Sequence, residues 1–206
     1  MPQRIVTLLR HGQCLPGSKD PPLTELGRKQ AALTADFFKA HDIKTIYYST
    51  LQRARQTAEI IARQLPNASL VGSGSLCECV PTVPPQLSKL FQDLARENPD
   101  YQLVHVRNAQ LRLDDVSSDI FAPAVDRDIH DLVVCQGNVL RYLICRALNI
   151  DPHAWVQLHP VANCSLSQII VAPNAIHEVR AAGITLTTLL TFNQMAHLPQ
   201  ALRTLS

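Results

Sequence analysis

Short apolar runs alternate along this chain with stretches of helical periodicity, and that alternation restricts the fold more than any other feature. Arg4 to Leu9, Thr45 to Tyr48, Leu132 to Cys135 and Ser165 to Ala172 are brief, apolar or β-branched, and lack helical spacing. They read as strands. Val179 to Leu190 holds at least one more. Between the first two runs, Thr24 suits an N-cap and Glu25 a first helical turn, with Leu26, Leu33 and Phe37 on one face up to about Ala40. Leu51, Ala54, Ala58, Ile61 and Leu65 mark a second helix, and Val139, Leu140, Leu143, Ile144 and Leu148 a third. Gly72 to Pro85 is irregular, because Pro81, Pro84 and Pro85 forbid a helix there. Gln86 to about Asp119 carries a weak helical pattern.

Such alternation implies an α/β fold, a three-layer sandwich whose central, mostly parallel sheet has helices on both faces. Right-handed crossovers then put ligands at the carboxyl ends of the strands. The 206 residues suffice for one well-buried core and are short for two. The expected organisation is a single domain over 1–206, with a small helical excursion at about 80–130.

With 46% hydrophobic and 17% charged residues the composition is that of a globular protein. A net charge of +2 argues against nucleic acid or an anionic membrane as partner. No apolar run reaches the roughly 18 residues of a membrane span. The N-terminal stretch to Leu9 is too short for a signal peptide and reads as the first core strand. The expected location is therefore cytoplasmic. Six scattered cysteines include no pair of Cys-x-x-Cys motifs, so neither a zinc site nor a disulfide framework is expected.

Three strands end in residues suited to a phosphate: Arg10-His11-Gly12-Gln13, Ser49-Thr50-Leu51-Gln52-Arg53-Ala54, and Cys135-Gln136-Gly137-Asn138. Phosphoryl transfer needs cations on the phosphate oxygens, an in-line nucleophile, and a proton for the leaving group. The guanidinium fork of arginine serves the first need and neutral histidine the second. Taken one by one, these pieces are as compatible with capping and solvated side chains as with catalysis.

Taken together they carry a resemblance. Leu9-Arg10-His11-Gly12-Gln13 resembles the Arg-His-Gly motif of the histidine phosphatase, or phosphoglycerate-mutase-like, superfamily. Leu23-Thr24-Glu25-Leu26-Gly27-Arg28-Lys29-Gln30-Ala31 is similar to its Leu-Thr-x-x-Gly-x-x-Gln-Ala helix start, and Ser49 to Ala58 to its Ser-x-Leu-x-Arg-Ala-x-Gln-Thr-Ala segment. Within that superfamily, Cys135 to Tyr142, Cys145-Arg146-Ala147-Leu148 and Ala196-His197-Leu198-Pro199 most resemble its mitochondrial serine/threonine phosphatases. Location and assembly are not carried over from them. The resemblance implies His11 as a nucleophile forming a phosphohistidine, with Arg10, Arg53, Gly137 and, at a catalytic position, Gln136 binding phosphate. Glu78 matches the acid that protonates the leaving oxygen and then activates water. Gln13, Leu23 and Thr24 would line the entrance. No metal or other cofactor is implied. The substrate would be a phosphorylated small molecule or a phosphoprotein, and the oligomeric state stays open.

One position departs from the pattern. The family has a second phosphate-binding histidine where this chain has Gln136. Glutamine donates a hydrogen bond but carries no charge. Three readings stay open: an impaired or specialised phosphatase, a phosphate-binding relative that no longer catalyses, or an active phosphatase altered to trap a complex. A rival sits in the same loop. Cys135 and Arg141 have the Cys-x5-Arg spacing of thiolate phosphatases, although Val139 and Leu140 read as core positions of a helix. His130 precedes the same strand, and a surface role is the plainer one. Lys89, Arg96, Arg107 and Arg112 read as a solvated helical face.

Overall fold

The computed structural model describes residues 2–15, 17–97, 102–173 and 185–205. Its elements run β1 (Arg4–Arg10), α1 (Glu25–Phe38), β2 (Ile43–Ser49), α2 (Gln52–Ala62), β3 (Ser69–Ser73), α3 (Ser88–Glu97), α4 (Leu103–Ile120), β4 (Ile129–Cys135), α5 (Gly137–Ala147), β5 (Leu166–Pro173) and β6 (Thr185–Gln194). The sheet order is β3-β2-β4-β1-β5-β6. The first four strands in that order are parallel, β5 runs antiparallel to β1, and β6 antiparallel to β5.

Both faces of the sheet are covered. Val6, Leu8, Val133 and Cys135 turn to one side, where Leu113 and Ile120 of α4 and Val139, Leu140, Leu143 and Ile144 of α5 meet them. Leu9, Leu132 and Val134 turn to the other, against Ala31, Ala35 and Phe38 of α1 and Ala54, Ala58 and Ile61 of α2. This period-two division of β1 and β4 explains their unbroken apolar runs, since both faces are buried. None of the described helices is long and apolar enough to cross a membrane.

Two elements differ from the expectation. The inward face of α1 is not Leu26, Leu33 and Phe37, which are half-buried, but Gly27, Gln30, Ala31, Thr34, Ala35 and Phe38. Small and polar residues face inward because α1 packs close against the loop after β1. A Cβ on Gly12 would stand 2.6 Å from the Gly27 carbonyl oxygen, and one on Gly27 2.0 Å from that of Gln13. Strand β3 carries no sequence signal, being an edge strand exposed along most of its length. Part of the last expected strand, 179–184, lies outside the described residues, as do 98–101 of the expected helical excursion.

The contact between Gly12 and Gly27 yields a stability prediction. Gly27→Ala forces backbone against backbone, with no flexible side chain to give way. Chemical denaturation should show a loss of more than about 2 kcal/mol, at the upper end for an overpacked site. An unchanged midpoint would show that α1 and the loop after β1 can separate freely.

Candidate active site

Parallel pairing sets Arg10 beside Cys135, so that His11 and Gln136 leave the sheet next to one another. The His11 amide donates to the Cys135 carbonyl at 3.1 Å. At the end of β2 the chain turns into α2, whose first residues include Arg53. Three strand ends thus meet at one point, as the alternation implies for an α/β sheet.

His11 is 3% exposed. Its Nδ1 lies 2.7 Å from the Gly12 carbonyl oxygen. A carbonyl only accepts, so Nδ1 carries the proton and Nε2 keeps its lone pair. Arg53 Nε donates to that Nε2 at 3.2 Å and to Gln136 Oε1 at 2.8 Å. Burial pushes His11 down to about 3; the Gly12 hydrogen bond pulls the other way, and Arg10 and Arg53 push further down. His11 is therefore neutral at pH 7. The backbone beneath it is fixed as well: the His11 carbonyl accepts from Asn163 Nδ2 at 3.2 Å and from the Cys164 amide at 3.3 Å.

Gln136 is 0% exposed. Guanidinium offers no acceptor, so the amide oxygen must face Arg53 and the amide nitrogen turns to Ser49 Oγ at 3.3 Å. Gln136 thus orients Arg53.

Arg10 lines a cleft of about 150 Å³ with Glu78, Gly137, Asn138 and Arg141. One Arg10 nitrogen, Nη1, donates to the Val161 carbonyl at 2.7 Å. A Cβ on Gly137 would stand 3.6 Å from Arg10 Nε, so a side chain there would narrow the cleft. Crowding by protein pushes the Glu78 carboxyl upward, opposed by the Cys79 amide, Arg53, Arg10 and Arg141. The Glu78 side chain is nonetheless exposed to solvent, which offsets much of that push and leaves only its upward direction.

Further side chains hold these positions in place. Thr57 Oγ1 accepts from the Gly12 amide at 3.1 Å and donates to the Arg53 carbonyl at 2.7 Å. Gln30 Oε1 accepts from the Gln13 amide at 2.8 Å, while its Nε2 reaches the Leu202 carbonyl at 2.7 Å. Gln56 Oε1 accepts from the Leu23 amide at 2.9 Å. The polar letters of the two helix motifs are thus struts that tie the nucleophile's loop to α1 and α2. Their only sequence signal was membership in those motifs.

The entrance residues divide. Leu23 is 4% exposed and belongs to the packing, a correction to its expected place at an entrance. Thr24 caps α1, with Oγ1 accepting from the Gly27 amide at 3.0 Å and donating to Gln13 Oε1 at 2.8 Å. Cys135 is 0% exposed and packs in the core below the site, and burial pushes its thiol far above the ordinary range. A thiolate attack from that position is closed off. His130 lies within β4 as its second residue rather than before it, some 20 Å from Gln136 at about 3.3 Å per residue. Its Nε2 lies 2.8 Å from Thr7 Oγ1. Arg112 is not part of a solvated face: it donates to the Gly74 carbonyl at 3.0 Å and the Cys77 carbonyl at 2.9 Å.

A buried neutral histidine against one arginine, with a second arginine close enough to act on its charge, at the carboxyl ends of parallel strands, is the pocket geometry of a phosphoryl-transfer protein. The family model of the histidine phosphatase superfamily (branch 1) matches residues 6–182, and the chain belongs to that family. It is 34% identical over 185 residues to the mitochondrial serine/threonine-protein phosphatase Pgam5 of Caenorhabditis briggsae, covering 87% of this chain and 62% of the relative. It is 32% identical over 195 residues to the mitochondrial serine/threonine-protein phosphatase PGAM5 of Homo sapiens, covering 88% and 63%. The chain therefore spans a little under two thirds of the length of these relatives. Among solved structures, a phosphoglycerate mutase from Plasmodium falciparum superposes with a TM-score of 0.61 at 25% identity, covering 97% of this chain and 96% of that one. The mitochondrial relatives overturn the cytoplasmic location expected from the sequence, which is withdrawn.

Proposed function

We propose that the chain hydrolyses phosphate monoesters through a phosphohistidine at His11, acting as one domain. The observation that carries this reading is the tautomer: the Gly12 carbonyl holds the proton on Nδ1 and leaves the Nε2 lone pair facing Arg53. Arg10 and Arg53 would bind the phosphoryl oxygens, with the Gly137 amide at the start of α5 as a further donor. His11 Nε2 attacks phosphorus, the ester P–O bond breaks, and protonated Glu78 gives its proton to the leaving oxygen. Water then attacks the phosphohistidine as Glu78 takes its proton. The P–N bond breaks and its electron pair returns to Nε2. Gln136 keeps Arg53 aligned but supplies no charge to the transition state, so this phosphatase is slow for its family. By analogy with the named activity of its relatives, the substrates are phosphoserine and phosphothreonine proteins, and the location is mitochondrial.

The pH–rate profile tests the reading. Activity needs neutral His11, so lowering the pH from 7 costs nothing at this group until about 3. It also needs protonated Glu78, so kcat/KM for a poor leaving group falls as pH rises through a value above the ordinary carboxylate range. An acid limb near pH 6.5 in kcat, which unlike kcat/KM does not carry the second ionisation of the free phosphate ester, would mean an ordinary, titrating histidine and would contradict the site as described.

A further inference from the structure

We propose that Arg112, Trp155 and the Asn138–Arg141 pair form a brace that fixes the Glu78 loop over the phosphate pocket, making them positioning residues for proton transfer. The inference rests on the assignment of Glu78 as the acid. The loop has little structure of its own. From Glu78 to Pro84 it is neither helix nor strand. A general acid must nonetheless sit within hydrogen-bond reach of the oxygen it protonates.

The missing rigidity comes from outside. Upstream of Glu78, the Arg112 guanidinium of α4 spans the Gly74 and Cys77 carbonyls at 3.0 and 2.9 Å. Leu113, its neighbour, packs in the same core cluster as Leu76, so helix and loop are joined by both contacts. Downstream, Asn138 Nδ2 donates to the Cys79 carbonyl at 3.4 Å. Asn138 Oδ1 in turn accepts from Arg141 Nη2 at 2.6 Å, and Arg141 Nη1 donates to the Leu158 carbonyl at 3.1 Å. The Arg141 guanidinium lies 4.8 Å from the centre of the Trp155 ring. Trp155 Nε1 closes the circuit by donating to the Thr82 carbonyl and Oγ1 at 3.2 and 3.1 Å. Glu78 is therefore gripped one residue to either side, and again at Thr82. The helical excursion gains a task in this arrangement: α4 supplies the arginine that holds the acid.

The experiment compares phenyl phosphate, a poor leaving group, with p-nitrophenyl phosphate, a good one, in this chain and in its Gln136→His form. Glu78→Ala is the reference. Arg112→Met removes one side of the brace. Trp155→Phe keeps the ring against Arg141 and deletes only the donor to Thr82. Each should lower kcat/KM, which reports the step that expels the leaving group, by about 10- to 100-fold for phenyl phosphate, as expected for a misplaced catalytic group, and by less than about threefold for p-nitrophenyl phosphate. Arg112→Lys should recover part of the loss. Equal losses on both substrates, or none, beside a selective Glu78→Ala, overturn the brace. A Glu78→Ala variant that loses equally on both substrates instead removes the acid assignment. Amide hydrogen exchange separates the two without turnover: residues 77–82 should exchange at least about tenfold faster in both brace variants while α5 is unchanged. Unaltered exchange there also overturns the proposal.

Discussion

His11→Ala abolishes hydrolysis of p-nitrophenyl phosphate, lowering kcat/KM by on the order of 10³ or more. No neighbouring group can substitute. Cys135 is sealed in the core with its thiol held protonated. Glu78 lines the cleft and is assigned to proton transfer. The fold survives the substitution, because the loop is also held by Thr57, Gln30 and Asn163. Phosphate affinity falls far less than turnover, since Arg10 and Arg53 remain. An inactive variant that still binds vanadate would thus separate binding from chemistry, whereas retained turnover would place the nucleophile elsewhere.

Gln136→His raises kcat by on the order of 10²–10³ with a smaller change in KM. The local geometry admits the ring: one imidazole nitrogen can accept from Arg53 as Oε1 does, and the other N–H can face Ser49 Oγ or the phosphate. A protonated imidazole would be disfavoured beside Arg53 in the empty pocket and favoured once a phosphate dianion arrives. Its hydrogen bond strengthens as charge develops, and contacts of that kind raise kcat rather than affinity. Unchanged turnover in an active protein would show that glutamine serves as well here as histidine. Absence of turnover in both forms, with phosphate still bound, would favour a binding protein over an enzyme.

Much of this site was legible in the sequence because its parts sit at the ends of strongly patterned strands. Arg10, Arg53 and Gln136 converge because β1, β2 and β4 are adjacent and parallel. The face of α1 was misread because hydrophobic periodicity assumes that large apolar residues face inward. Here close approach to Gly12 and Gln13 selects glycine, glutamine and threonine instead. Strand β3 escaped notice because an exposed edge strand needs no alternation. Arg112 was unreadable for another reason: its partners are backbone carbonyls, which leave no trace in sequence. The pairing of Gln136 with Arg53 is likewise a tertiary fact.

The covalent intermediate is the most direct measurement. Protein mixed with ³²P-labelled monoester and quenched in denaturant should carry label that is stable in alkali, released by acid, and mapped to the peptide bearing His11. The label should vanish in His11→Ala and accumulate in Glu78→Ala with a good leaving group, where the water step is slowed. Label that persists in His11→Ala, or an enzyme that turns over without forming any phosphohistidine, would contradict nucleophilic attack by His11.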